Sequence, residues 1–225
     1  MKKKLSSMTI LALTVVILFG FGQAFGGMYK AGTYKASAQG KSKKVPIEVE
    51  VTVDASKIKE IKILSHKESV EDKKYGEVVT EALTKFPEAI VKANSIDVDA
   101  VAKATITSNA VALAVAKALN KALVVSTKYK AGTYKASAQG KSKKVPIEVE
   151  VTVSDSKIKE IKILSHKESV EDKKYGAVVT DALTKYPASI VKANSVDVDA
   201  IAQATVTSNA VALAVAKALD KARVK

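Results

Sequence analysis

Val45-Pro46-Ile47-Glu48-Val49-Glu50-Val51-Thr52-Val53 alternates apolar side chains at odd positions with polar ones between. That period of two predicts a β-strand with one buried and one wet face. The same nine residues recur at 145–153. Upstream, Gly32 to Gly40 alternates small or aromatic with polar residues, which predicts a half-buried strand, and Gly40–Lys44 supplies a turn. Downstream, Asp54–Lys57 is a short turn and Ile58–Leu64 a third β-rich run. Three strands joined by short turns make an antiparallel meander.

The period then changes. Val79, Ala82, Leu83 and Phe86 fall at i, i+3, i+4 and i+7, one face of a helix. Pro87 ends that helix or starts a second one over Glu88–Ala93. Asn94 to Asp99 is irregular. The last helix is expected to begin after Thr107 or Ser108, both suitable N-caps, and its many alanines favour helix and close packing.

All of this occurs twice. Residues 29–125 return at 129–225 with 14 differences over 97 positions. A period near 100 is the size of a domain, not of a solenoid repeat. The expected fold class is α+β: a tandem repeat of a small domain, an antiparallel β-meander packed against helices, preceded by an apolar leader. The boundaries are 1–28 for the leader, 29–125 for the first copy and 126–225 for the second. The differences between copies are mild, so two independently folding units with superimposable backbones are expected, set close together by a short join.

The leader has a basic start at Lys2–Lys4 and an apolar run from Ile10 to Phe19. Gly22 and Ala24 have the spacing of a signal-peptidase site. Uncleaved, Met8–Phe25 reaches the minimum length of a membrane-spanning helix. Either way the repeats are expected to be exported, to the outer face of the cytoplasmic membrane or beyond.

Composition narrows the chemistry. The chain has no Cys, which removes disulfides, thiol catalysis, thiolate metal sites and lipoprotein acylation. Its two His, His66 and His166, are equivalent positions, and one His per copy argues against a zinc enzyme. The net charge of +14 favours anionic partners, a membrane or an anionic cell surface among them. With no Trp, 5% aromatic residues and no nucleic-acid-binding motif, no nucleic acid is expected. No constellation suggests a catalytic residue or a metal site.

One segment invites a ligand. Asp99 to Ser108 leads into an Ala-rich helix and places the hydroxyls of Thr105, Thr107 and Ser108 where free N–H groups and the helix dipole suit a phosphate. The plain alternative is that these hydroxyls only cap the helix. The plain reading of His66 and His166 is that of satisfied strand-end residues, of Glu68 and Glu168 that of surface carboxylates, and of Tyr34 and Tyr134 that of strand packing.

The order Gly-x-Tyr strand, meander, Ser65-His66-Lys67-Glu68-Ser69, amphipathic helix, Asp99 with Ala104-Thr105-x-Thr107-Ser108-x-Ala110, and Ala-rich helix resembles the FMN-binding domain family. That family includes the C and G subunits of sodium-pumping quinone reductase and of the related ferredoxin:NAD oxidoreductase, and exported bacterial flavoproteins of electron transfer. The resemblance covers nearly all of each copy. It implies FMN as cofactor, electron transport as function, redox proteins as partners, and phosphodiester attachment of FMN to Thr105 and Thr205 by a flavin transferase. It marks Asp99, Ala104, Thr105, Thr107, Ser108, His66 and Glu68 as cofactor-binding. In the second copy it marks Asp199, Ala204, Thr205, Thr207, Ser208, His166 and Glu168. The other reading of each His is then a hydrogen bond to a flavin edge.

The sequence departs from the family pattern at two positions. The family's Ser/Thr is Ala102 and Ala202, and its Gly is Lys103 and Gln203. Gly serves where backbone approaches closely or takes positive φ. Three outcomes stay open: covalent FMN, noncovalent FMN with Lys103 as phosphate counter-charge, and a flavin-free cationic binding or scaffold module at the cell surface.

Overall fold

The computed structural model describes residues 28–124 and 129–224. The leader, read as residues 1–28, lies outside them but for its last residue, Met28. In the first copy, β1 (Gly32–Ala38), β2 (Ile47–Val53) and β3 (Ile58–Ser65) form one antiparallel sheet in the order β1-β2-β3. Ala36 pairs with Val49 and Tyr34 with Val51, so the apolar residues of β1 and β2 share one face. Ile47, Val49, Val51 and Val53 are buried and Glu48, Glu50 and Thr52 are not, as the alternation requires. The second copy repeats this with β4 (Gly132–Ala138), β5 (Ile147–Val153) and β6 (Ile158–Ser165).

Helices cover the apolar face. The first copy has α1 (Gly76–Leu83), α2 (Lys85–Ala93) and α3 (Thr105–Ala122). Gly76 opens α1 where no side chain fits, since a Cβ there would stand 2.1 Å from the Val70 carbonyl oxygen. The break at Thr84 lies beside the Leu83 carbonyl, which Pro87 cannot serve because it has no N–H. In the second copy α4 (Gly176–Ala193) runs through Pro187 unbroken, and α5 (Thr205–Ala222) corresponds to α3. Asn94 ends α2 in the left-handed conformation, φ 49°. Its side chain accepts from Ile58 N at 2.9 Å and donates to the Ser56 carbonyl, which ties the helix end to the β2–β3 turn.

α3 lies over β1 and β2 and also meets α5, as α5 meets β4 and β5. Most of each helix is therefore buried on more than one side. That accounts for an alanine-rich composition with only a weak apolar stripe, because small residues allow helices and sheets to approach closely. Among the described residues, no helix is long and apolar enough to cross a membrane.

The expected cap residues play a different part. α3 begins at Thr105, with Ala104 as N-cap and no side-chain cap bond. Thr107 and Ser108 lie inside the first turn. Ser108 Oγ donates to the Ala104 carbonyl and accepts from Val101 N at 3.1 Å. That bond holds the loop before the helix against its first turn.

Candidate functional site

The loop into α3 contains a backbone conformation that few side chains accept. Lys103 and Gln203 both have φ 65°. These are the positions where the family pattern places Gly, and the left-handed region explains why, since a Cβ there crowds the following carbonyl. Lys103 is exposed and its side chain lines a cleft at the start of α3. The side chain borders this space without filling it.

The cleft has a volume of about 390 Å³, within the range of small-molecule sites (about 300–1,000 Å³). Val79, Ala104 and Ile106 give it apolar surface, and Tyr75 an aromatic face. Lys41 Nζ lies 5.7 Å and Lys74 Nζ 5.2 Å from the centre of that ring. Thr105, half-buried at the first position of the helix, lines the cleft and makes no side-chain hydrogen bond among the described residues. It stands at the edge of the cleft beside N–H groups that have no intrahelical partner.

The other two hydroxyls are engaged. Thr107 is 1% exposed and donates to Glu68 Oε2 at 2.6 Å, and Ser108 is fully buried. Glu68 is not a surface carboxylate: it is 5% exposed and also accepts from Ser42 N at 2.9 Å and Lys41 N at 3.2 Å. The carboxylate thus joins the β1–β2 turn to the first turn of α3. Gly40 makes room for it, because a Cβ there would come within 2.5 Å of Glu68 Oε1. Glu168 makes the same three bonds to Ser142 N, Lys141 N and Thr207. His66 Nδ1 accepts from Glu68 N at 3.2 Å, and His166 does likewise with Glu168. Each His therefore supports the carboxylate through its own turn and is not among the cleft's lining residues.

Asp99 is exposed and also outside the lining, while Asp199 lies near Tyr186 and helps raise that phenol. Ala204 is buried and Thr205 half-buried at the start of α5, matching Ala104 and Thr105. Tyr34 packs on the core and donates to the Lys30 carbonyl at 2.8 Å. The structure adds residues that sequence reasoning passed over: Lys41 and Tyr75 from the first copy, and Gln139, Gly140, Lys141 and Lys143 from the second. The signal available for them was the like-charged run of lysines in each turn after Gly40 and Gly140.

A meander sheet capped by a buried Ala-rich helix, with a cation-lined cleft at that helix's N-terminus, defines a small domain suited to a phosphorylated, partly aromatic ligand. The sequence profile of the FMN-binding domain matches residues 40–120 and again 140–220. The chain belongs to the FMN-binding domain family, in two tandem copies, and is a flavin-binding protein with FMN as its cofactor. An uncharacterized protein of Treponema pallidum (strain Nichols) is 36% identical over 92 residues, a stretch that is 41% of this chain and 23% of that protein. The chain thus matches less than a quarter of that relative's length.

The residues present fit FMN. Lysines and free helix N–H groups suit a phosphate, Tyr75 with Val79 and Ile106 suit a ring system, and Thr105 lines the same cleft.

Proposed function

We propose that this chain is an exported, membrane-associated tandem flavoprotein that carries electrons between redox partner proteins, with one FMN on each copy. The observation that carries this reading is the meeting of two helix N-termini. Ile106, Asn109 and Ala110 of α3 line one small cleft together with Val206, Asn209 and Ala210 of α5. The sites at Thr105 and Thr205 are therefore neighbours, an arrangement suited to a relay.

Bound FMN supplies the redox chemistry, and the protein supplies binding, orientation and electrostatics. Lys103 and Lys41 would balance the phosphate charge and Tyr75 and Val79 would shield the ring system from water, while Glu68 fixes the turn that carries Lys41. The Thr105 and Thr205 hydroxyls are the attachment oxygens where a flavin transferase acts. Export and membrane association rest on the basic, then apolar, leader.

Purified chain, after incubation with FMN and removal of free flavin, is expected to be yellow and to undergo reversible reduction. Co-expression with a flavin transferase is expected to add flavin mass that is lost in the Thr105→Ala, Thr205→Ala chain. A chain that retains no flavin under either condition is instead the cationic surface scaffold. Fractionation of the native host that left the full-length chain in the cytosol would defeat the export reading.

A further inference from the structure

We infer that the FMN site of the first copy is composite: Lys141 and Lys143, carried on the second copy's β4–β5 turn, hold the phosphate beside Thr105. The inference rests on the FMN reading and adds which residues complete the site. The cleft at Thr105 crosses the boundary between copies. Its first-copy wall includes Lys41 and Lys103, and its second-copy wall is Gln139, Gly140, Lys141 and Lys143. Four lysines thus converge on one cleft, and none has a carboxylate within ion-pair distance among the described residues. Asp72 and Asp172 feel Lys41 and Lys141, but their carboxyls are held first by N–H groups of their own turns. Lysines gathered without an ion-pair partner repel one another, and a phosphate dianion among them relieves that repulsion.

The second copy's turn is held in place before any ligand arrives. Asn109 Nδ2 of the first copy donates to the Gln139 carbonyl at 2.9 Å. Glu168 accepts from Lys141 N at 3.3 Å and Ser142 N at 2.8 Å. A Cβ at Gly140 would stand 2.5 Å from Glu168 Oε1, so the turn closes tightly on that carboxylate. Lys141 and Lys143 are exposed beyond this fixed backbone. The interface delivers their backbone to the other copy's site already in place, so only the two side chains remain to be ordered when a phosphate binds. The reciprocal bond from Asn209 to the Gln39 carbonyl brings the first copy's turn to α5. There Gln203 replaces Lys103, so the second site has one cation fewer and should hold phosphate less tightly.

The test uses the full chain with Thr205→Glu, which places a negative charge where the second phosphate would bind and leaves one site to read. FMN and riboflavin are titrated separately by flavin fluorescence at low salt. Adding Lys143→Glu is expected to raise the FMN Kd about tenfold and to change the riboflavin Kd less than about twofold, since a tenfold change corresponds to one phosphate contact of ordinary strength. Lys143→Gln is expected to give about a threefold loss and Lys143→Arg none, because the charge is removed in one and kept in the other. These two variants decide the matter if Lys143→Glu does not fold. Unchanged FMN affinity in Lys143→Glu and Lys143→Gln, with the parent binding FMN, overturns the composite site and leaves the FMN reading intact. Equal losses for FMN and riboflavin overturn the phosphate assignment. A parent that binds no FMN removes the FMN reading and this inference with it.

Discussion

Asn109 Nδ2 donates to the backbone carbonyl of Gln139 at 2.9 Å, a bond that joins the first turns of one copy's last helix to the other copy's sheet turn. Asn209 returns it to Gln39 at the same distance. Other contacts repeat in the same reciprocal way: Lys117 with Asp197 at 3.4 Å and Lys217 with Asp97 at 3.2 Å, Asn120 with Ser195 and Asp220 with Ser95. This is the pattern of an isologous dimer interface, with residue i meeting j and j meeting i, built inside one chain. It departs from perfect symmetry at its edge. Arg223, which replaces Leu123, donates to the Tyr29 hydroxyl at 2.9 Å and to Asp220, which replaces Asn120.

One copy alone would leave its half of that interface uncovered. Residues 129–225 expressed by themselves are expected to fold and to pair as a homodimer, because Lys217, Asp197 and Asn209 can make the same contacts with a second copy of themselves. Light scattering across a concentration series is the check. A stable monomer at micromolar concentration would mean that the internal interface contributes little.

Glu68 is expected to matter for stability more than for ligand contact. Glu68→Ala strands two turn N–H groups and the buried Thr107 hydroxyl, a loss of about 2–4 kcal/mol. The corresponding fall in Tm is roughly 2–4 °C per kcal/mol at this chain length. Thr107→Val should cost less, since it leaves the two N–H bonds to Glu68 in place. Thermal melts of the two variants that showed the opposite order would remove Glu68 from the centre of the site.

Lys103 has φ 65°, where most residues are strained and glycine is not. Lys103→Gly is expected to be neutral to stabilising, by up to about 1 kcal/mol, after the extra freedom of the unfolded glycine is subtracted. Lys103→Val is expected to destabilise by about 1–2 kcal/mol, because a β-branched residue is poorly tolerated there. The Gly variant should also lose affinity for FMN relative to riboflavin, having lost a cleft cation. Equal stability for Gly and Val at this position would contradict the strain argument.

Alkaline pH should unfold the protein partly through its buried phenols. Burial, then Asp199 and Asp197, raises the Tyr186 pKa above the ordinary 10.0, and burial raises Tyr29 and Tyr129 despite Arg223 nearby. A raised folded pKa means the native state keeps its proton while the unfolded chain releases one. Stability is then fully present below pH 10 and falls as pH rises above it. Tyr186→Phe copies the residue at position 86 and gives up only a long bond to the Val198 carbonyl, 3.4 Å. It is expected to lose under about 1 kcal/mol at pH 8 and to flatten the decline between pH 10 and 11.5. Denaturant melts at the two ends of that range measure the difference; parallel curves for both proteins would exclude Tyr186 as a contributor.

The sequence alone determined the repeating unit, its three strands and the existence of its helices. Val45 to Val53 alternates because a sheet with one wet face has a period of two, and Val79 to Phe86 follows a helix because its apolar face recurs every three to four residues. The repeat at an offset of 100 made one domain reading serve for both copies. The departure at Lys103 and Gln203 was also legible, because a left-handed backbone is a local property that glycine marks in the family pattern. Tertiary structure decided the rest. Thr107 and Ser108 looked like caps from their composition, yet the helix begins at Thr105, and Glu68, 39 residues earlier, claims the Thr107 hydroxyl. Glu68 itself read as a surface charge, since nothing local to it shows that Gly40 and the turn N–H groups close over its carboxylate. The arrival of Lys141 and Lys143 at the site of Thr105 depends on how α3 and α5 pack. Alanine-rich helices have only a weak apolar stripe to fix a partner in advance, so the reciprocal contacts around Asn109 and Asn209, made between distant parts of the chain, set that geometry.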